Sequence, residues 1–231
     1  GVKTYGFLGY ADAYGEAWLA DITSQAEKAG IKRVAVERFA RTDTSVTGQA
    51  LKIVSANPDA VLIVASGSGA AMPHKGLVER GYAKNKIYQT HGAASLDLIR
   101  VGGKDVEGSF VSSGPALVAD LLPDSNPSKP LGLRFINEYE KVHGKNSANQ
   151  FAAHSFDAYL VLEKVVPMAL KKGKPGTPEF RKAVRDELRG IKELVGTNGV
   201  YHFPEGSSYG VDDRSVILVQ VKNGQWKYLP N

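Results

Sequence analysis

The stretch that decides the fold is VKTYGFLGY, residues 2–10, followed by the polar turn ADAYGE at residues 11–16. It predicts a strand that leads into a helix, and the same order recurs at Ala60–Ala65 and at Ile87–Thr90. The three strand exits are Ala11–Glu16, Ser66–Gly69 and His91–Ser95. Because ligands of open parallel sheets bind at the carboxyl ends of the strands, we expect these exits to form a ligand-binding face.

Strands and helices alternate through residues 1–113, which predicts a doubly wound α/β lobe. The first helix is expected over Tyr14–Ala29, because apolar residues recur at four-residue spacing along one of its faces. They are Tyr14, Trp18, Ile22 and Ala26. A second helix is expected after the capping residues Thr42–Ser45, with Leu51 and Val54 facing inward.

Residues 115–195 have a different character, because helix patterns follow one another there with no strand pattern between them. The expected helices are Leu131–His143, Asn149–Lys172 and Thr177–Leu188. The second of them should bend at Pro167. Strand patterns return in residues 198–231. We predict that residues 1–113 and 198–231 form one lobe and that residues 116–195 pack as helices outside it, with apolar faces that no sheet of this sequence covers.

Composition argues against several classes of protein and site. No apolar run approaches the roughly 20 residues of a membrane-spanning helix, and the absence of cysteine excludes disulfides and thiolate chemistry. The net charge is +5, but acidic residues are interspersed, so the basic run Lys171–Lys174 is interpreted as a solvated helix end and not as a nucleic-acid-binding patch. Without a phosphate loop, a nucleophile elbow or a metal-ligand spacing, we predict no cofactor, no metal and no enzymatic activity.

A series of motifs in a fixed order carries a resemblance to a known family. The motifs are Tyr5–Tyr10, Asp12–Glu16, Thr90–Ala94, Val101–Gly103, Glu107–Gly108, Gly196–Phe203 and Arg214–Val221. Together they resemble the periplasmic substrate-binding proteins of branched-chain amino-acid-type ABC transporters. The resemblance covers essentially the whole chain.

The resemblance implies the type I periplasmic binding protein fold, in which two α/β lobes joined by three crossing segments trap the ligand between them. Residue 1 is similar to the start of the second lobe, so we expect a fragment that lacks the sheet of the N-terminal lobe. Residues 116–195 would then be the helical part of that N-terminal-type lobe. Hinge residues are expected near Ser113–Pro115 and Val195–Asn198.

The same resemblance implies a place in the cell and a set of partners. We expect a periplasmic protein whose signal peptide is not in this chain, with a small-molecule ligand and an ABC transporter permease as partners and no nucleic acid. Because the helices would lack their sheet, we also expect self-association of the fragment or retention of a separate upstream piece.

Two candidate ligand-binding residues follow from the resemblance. Tyr14 stands where the family places an aromatic side chain that closes over the ligand, and the alternative is a core position beside Trp18. His91 stands where amino-acid-binding members hold the acidic residue for the α-amino group, and the alternative is an exposed loop histidine. Because a histidine suits an anion or a phenol, an organic or aromatic carboxylate is favoured over an amino acid.

The turn after the strand at Ala60–Ala65 supplies Ser66 and Gly67 as further candidates. Glycines allow close backbone approach, and N–H groups at the start of a helix favour anions. The alternative is a tight strand-to-helix turn without a ligand. Ala13 and Gly92 complete the predicted ligand-binding set from the other two exits. Asp12 is interpreted as a helix cap and not as a ligand contact.

We predict a solute-binding receptor of an ABC uptake transporter. It would capture a small organic acid, with aromatic carboxylates favoured, or an amino acid, in an interlobe cleft by hinge closure. The alternative is the effector-sensing domain of a transcriptional regulator or an amide-type sensor with the same fold. An α/β enzyme is a third class, and the motifs such an enzyme needs are missing from the sequence.

Overall fold

The computed structural model describes residues 1–207 and 209–230. They divide into two compact units. The first unit comprises Gly1–Ser112 and residues 218–230, and the second comprises Ser113–Ile217. The polypeptide therefore leaves the first unit once and returns to it once.

Strands and helices alternate in the first unit, whereas helices predominate in the second. The strands are β1 (Thr4–Tyr10), β2 (Lys32–Phe39), β3 (Ala60–Val64), β4 (Ile87–Gln89), β5 (Phe110–Ser113), β6 (Leu194–Val195), β7 (Val200–Tyr201), β8 (Ile217–Lys222) and β9 (Gln225–Leu229). The α-helices are α1 (Ala13–Lys28), α2 (Thr47–Ala56), α3 (Ala71–Val78), α4 (Leu96–Gly102), α5 (Lys129–His143), α6 (Gln150–Leu170) and α7 (Pro178–Arg189).

A seven-stranded sheet organises the first unit, with strand order β2-β1-β3-β4-β5-β8-β9. The pairs from β2 through β5 are parallel, whereas β8 and β9 form an antiparallel pair. A helix connects each parallel strand to the next one along the chain. The predicted α/β fold class, a doubly wound and mainly parallel sheet, is therefore confirmed.

The core of the first unit is centred on β1, whose residues from Tyr5 to Tyr10 are all buried. α1 covers one face of the sheet at this point. Its stripe residues Tyr14, Trp18 and Ile22 pack against a buried cluster made of Tyr5, Phe7, Leu19, Ala26 and Val64. The four-residue spacing thus predicted the inward face of α1 correctly.

α2 turns a different face to the sheet from the one we predicted. Ala50 and Ile53 are buried, whereas Leu51 is 57% exposed and Val54 is only half-buried. The residue just before the helix, Val46, is buried as well. Together with Ala50 and Ile53 it forms a stripe at helical spacing, and this stripe turns Leu51 outward because each residue rotates the helix by about 100°.

The second unit contains α5, α6, α7 and the antiparallel pair β6–β7. The three helices lie where the sequence predicted them, and α6 continues past Pro167 to Leu170. An aromatic cluster joins α5 to α6, with ring centroids 5.4 Å apart for Phe135–Tyr139 and 5.5 Å apart for Phe135–Phe156. Other large apolar side chains of α6 are exposed: Phe151, Tyr159, Leu162 and Leu170.

A buried carboxylate holds the segment that leads into β7. Asp157 on α6 is 1% exposed and accepts four hydrogen bonds. The donors are the Thr197 N–H at 2.6 Å, the Thr197 hydroxyl at 2.8 Å, the Asn198 N–H at 2.9 Å and the Tyr201 hydroxyl at 2.9 Å. These neutral donors replace the solvation that the charge loses on burial.

This attachment, together with the pairing of β7 to β6, places residues 198–217 in the second unit. The boundary expected at residue 198 therefore lies at Ile217, and the prediction that residues 198–217 join the first lobe was wrong. The strand pattern around Val200 was recognised, but its partner strand is the neighbouring β6 and not the main sheet. The assignment of residues 116–195 to an N-terminal-type lobe stays a prediction.

We expect Asp157→Asn to lower the free energy of unfolding by about 2–4 kcal/mol, because an amide NH₂ would face donors and leave a buried N–H or O–H unpaired. Urea denaturation followed by circular dichroism measures the change. Asp97→Asn is the matched control, since Asp97 is exposed and pairs with Arg100 at the surface. It should change stability by less than about 0.5 kcal/mol. Equal small effects at both positions would contradict the role given to Asp157.

A buried histidine on α3 contacts β4 in the first unit. His74 is 0% exposed, and its Nδ1 lies 3.1 Å from the side-chain nitrogen of Gln89. Burial lowers the pKa of His74 to about 4, against a smaller opposing effect of Asp105. An unfolded histidine has a pKa of about 6.5, so the unfolded chain binds more protons than the folded one between these two values.

We therefore expect the stabilisation from neutral His74 to be complete above about pH 6.5 and to be lost as the pH falls towards about 4. The loss should amount to on the order of 3 kcal/mol. Urea unfolding of the wild type and of His74→Gln between about pH 7 and about pH 4 measures it. The variant should show a shallower decline on acidification. Identical pH dependences in the two proteins would contradict the prediction.

Candidate functional site

The exits of β1, β3 and β4 meet at the carboxyl edge of the parallel sheet. Gly9 of β1 pairs with Val64 of β3, and Ile63 of β3 pairs with Gln89 of β4. Because these strands run parallel in this register, the residues that follow them emerge side by side. The predicted ligand-binding residues all belong to these three exits.

Tyr14 links the start of α1 to the end of β4. Its hydroxyl lies 2.8 Å from Oγ1 of Thr90, which is 1% exposed. The half-buried ring packs against the core beneath α1. Burial raises the pKa of the Tyr14 phenol, so the group stays neutral at physiological pH. The ring thus belongs to the edge of the core, and the hydroxyl is directed at the end of β4.

Gly92 allows the Tyr14 hydroxyl to approach this closely. A Cβ at Gly92 would lie 2.8 Å from that hydroxyl, 2.8 Å from the backbone oxygen of Ala65 and 3.3 Å from Cβ of Ser66. No side chain fits in such a space without displacing its neighbours. Gly92 is therefore the point at which the exits of the three strands come together.

Ser66 and Gly67 form the turn that follows β3. The backbone N and O of Ser66 each lie 3.4 Å from the hydroxyl of Tyr10 at the end of β1. Gly67 has a φ of +53° and opens a 3₁₀ turn, Gly67–Ala70, so α3 begins only at Ala71. The alternative interpretation, a tight strand-to-helix turn, describes this geometry. Anion binding by the turn stays a prediction.

His91 and Ala13 lie at the periphery of the candidate site. His91 is exposed and opens a 3₁₀ turn over His91–Ala93, and its ring centroid lies 6.3 Å from that of Trp18. Ala13 is the exposed first residue of α1, beside Tyr14 in the chain. The structure therefore packs the Tyr14 hydroxyl and Cβ of Ser66 closely around Gly92, with His91 next to the ring of Trp18.

Asp12 caps α1, as predicted. Its Oδ1 accepts a hydrogen bond from the Gly15 N–H at 3.0 Å, which satisfies one of the unpaired N–H groups of the first turn. Its Oδ2 lies 2.6 Å from Nε of Arg41. The hydrogen bond from Gly15 and, after it, the one from Arg41 lower the pKa of Asp12. The carboxylate thus stays ionised at neutral pH.

Sequence reasoning missed Arg41. This residue follows β2, which lies beside β1 in the sheet, so its backbone emerges at the same edge as the other exits. Its guanidinium carbon lies 4.1 Å from the centroid of the Tyr10 ring, and its Nη1 lies 3.3 Å from Oγ of Ser66. The sequence did contain a signal for Arg41, because β2 is also a parallel strand. We left the exit of β2 out of the predicted ligand-binding face.

Within residues 1–207 and 209–230, His, Asp and Glu side chains form no group of three or more that could hold a metal ion. No helix in the described part of the chain is long and apolar enough to cross a membrane.

The chain is similar to a known protein family over almost its whole length. Residues 1–225 match the family described as periplasmic binding protein. The chain belongs to this family. Its members include extracellular ligand-binding receptors, and membership places the protein in the periplasm.

Solved structures of family members resemble the chain closely. An extracellular ligand-binding receptor from Rhodopseudomonas palustris is 51% identical, with a TM-score of 0.94 over 99% of this chain and 64% of that one. A receptor of the same description from Rhodopseudomonas palustris HaA2 is 52% identical, with the same TM-score and coverages. A leucine binding protein from Thermotoga maritima is 20% identical, with a TM-score of 0.76 over 99% of this chain and 60% of that one, and shares the fold.

The chain spans 64% of the length of the Rhodopseudomonas receptors. Among curated proteins, none matches it. The predicted family and the type I periplasmic binding protein fold are therefore confirmed. The ligand and the residues that bind it stay predictions.

We expect Gly92→Ala to lower the free energy of unfolding by about 1–3 kcal/mol, because its Cβ must displace the Tyr14 hydroxyl or the backbone at Ala65. Chemical denaturation measures the change. Gly48→Ala is the control, since the Cβ position of Gly48 in α2 has open space around it. There the substitution should be neutral or stabilise by up to about 1 kcal/mol. A Gly92→Ala protein as stable as the Gly48→Ala one would show that the close approach is dispensable.

Proposed function

We propose that the protein is a solute-binding receptor of an ABC uptake transporter and binds a small organic acid at the carboxyl edge of its parallel sheet. The observation that carries the proposal is the close packing of Tyr14 and Ser66 around Gly92, which joins the exits of β1, β3 and β4 at the edge where ligands of such sheets bind. Family membership supports binding of a small molecule.

An aromatic carboxylate is our preferred ligand class. By the resemblance, His91 stands where amino-acid-binding members of the family hold an acidic residue, and a histidine suits an anion better than it suits an ammonium group. The half-buried ring of Trp18 lies next to the His91 ring, and the half-buried ring of Tyr14 packs against the same core cluster as Trp18. Aromatic faces favour a planar apolar ligand. Tyr14, His91, Ser66, Gly67, Gly92 and Ala13 are the residues we propose for ligand binding.

We further propose that binding is not followed by chemistry on the ligand. The receptor would close about its hinge segments when the ligand binds, and a permease of the transporter would receive the closed form. Family members that belong to ABC transporters support a permease as partner; one relative is described as a branched-chain amino acid ABC transporter from Rhodospirillum rubrum.

We expect benzoate, 4-hydroxybenzoate or trans-cinnamate to raise the unfolding temperature of the protein and to bind more tightly in calorimetry than leucine or valine. The expected order follows from His91 in place of an acid and from the aromatic rings beside it. A tight dissociation constant for leucine or valine, with none measurable for the aromatic acids, would refute the proposed ligand class.

The same titrations, repeated with Tyr14→Ala, test whether Tyr14 belongs to the ligand-binding site. This variant should weaken binding by about 5–150-fold, the range of about 1–3 kcal/mol typical of an aromatic anchor. Tyr209→Ala is the control, because that ring is 80% exposed in the second unit. An unchanged dissociation constant in Tyr14→Ala would remove Tyr14 from the site.

A further inference from the structure

Arg41 crosses the strand exits at the carboxyl edge of the first unit. Its Nε lies 2.6 Å from Oδ2 of Asp12, its Nη1 lies 3.3 Å from Oγ of Ser66, and its guanidinium carbon lies 4.1 Å above the ring of Tyr10. It thereby joins the exits of β1, β2 and β3 with one side chain. Three partners from two other strands hold the guanidinium in a single orientation.

One nitrogen of the Arg41 guanidinium remains available as a hydrogen-bond donor, although the other two bind Asp12 and Ser66. Half of the Arg41 side chain is exposed, at 50%. Of its nitrogens, Nε and Nη1 bind protein groups, whereas Nη2 makes no hydrogen bond with residues 1–207 or 209–230. An arginine presents its donors in a rigid planar fork that matches a carboxylate. An oriented fork with an unused donor is suited to receive an anion.

Comparison with Arg38 shows that this arrangement is not simply a surface ion pair. Arg38 lies on β2 and binds Glu16 through Nε and Nη2, one to each carboxylate oxygen, so both charges are matched in a closed pair. Asp12 instead divides its oxygens between Arg41 and the N–H of Gly15 in the first turn of α1. Because the α1 N-terminus shares this carboxylate, the charge of Arg41 is only partly compensated.

Arg41 also adjoins the proposed ligand site. Ser66, its hydrogen-bond partner, has its Cβ 3.3 Å from the Cβ position of Gly92, and the Tyr14 hydroxyl lies 2.8 Å from that same position. The groups form a continuous row from Arg41 through Ser66 and Gly92 to Tyr14.

We propose that Arg41 is a specificity-determining residue whose guanidinium binds the carboxylate of the ligand and selects anionic over neutral ligands. The proposal rests on the proposed function and adds to it a charged group at a stated atom, the Nη2 edge of Arg41. The ring of the ligand would lie towards Tyr14, at the other end of the row.

Calorimetric titration of the protein with benzoate and with its neutral analogue benzamide tests the proposal. Arg41→Gln should weaken benzoate binding by about tenfold or more and leave benzamide binding within about twofold, so the preference for the anion collapses. Arg41→Lys should recover part of the preference, because it restores the charge without the fork. Arg38→Gln is the matched control and should leave both constants unchanged.

Asp12→Asn separates ligand binding from a structural role. Asparagine caps a helix as well as aspartate does, so α1 should be retained. If Arg41 binds the ligand, removing the competing carboxylate keeps or strengthens benzoate binding. If Arg41 only anchors Asp12, the Asp12→Asn variant reproduces the loss seen in Arg41→Gln, and that result would overturn the proposal.

The outcomes also distinguish this inference from the proposed function. Benzoate binding by the wild type that Arg41→Gln leaves unchanged overturns the role of Arg41 alone. A wild-type protein that binds neither benzoate nor any other acid of the panel at roughly 1 mM counts against the proposed function and against this inference together.

Discussion

The parallel pairing of β1 with β2 on one side and with β3 on the other is the constraint on which the rest of the first unit depends. Because β1 is buried along Tyr5–Tyr10 and paired at both edges, it cannot slip by one residue without turning its core side chains outward. The register therefore fixes where each strand ends. The juxtaposition of Tyr14, Ser66, Gly92 and Arg41 is a consequence of this register and needs no long loop to create it.

The fold class and the edge at which the strand exits meet could be predicted from the sequence, because both depend on local periodicity. The stripe of α1 and the strand exits repeat at spacings that a single segment reveals. Arg41 could not be found in this way, since its role depends on the reach of a side chain across two neighbouring strands. The boundary at Ile217 was missed for the same reason: the contact that decides it joins Asp157 to Thr197, which lie far apart in the sequence.

Two carboxylates show how the surroundings of a charge decide what it does. Asp157 is buried, and four neutral donors satisfy it, so its hydrogen bonds hold the second unit together. Asp12 is partly exposed and accepts from a helix N-terminus and from an arginine. Among the described residues, no cation forms an ion pair with Asp157, whereas Asp12 leaves the charge of its arginine partly available. A carboxylate ligand would compete with Asp12 for this charge and not with Asp157.

The hydrogen bond between the Tyr14 hydroxyl and Thr90 limits the contacts that Tyr14 can make with a ligand. Thr90 is buried, so breaking the bond would leave a polar group without a partner in the core. The ring remains as the part of Tyr14 that can meet a ligand, and a ring recognises shape and apolar surface but not charge. At the proposed site, recognition of a charged ligand would then come from another group at the same edge. Arg41 is held at this edge by Asp12, Ser66 and the Tyr10 ring, so the proposed site would have an aromatic end at Tyr14 and a cationic end at Arg41.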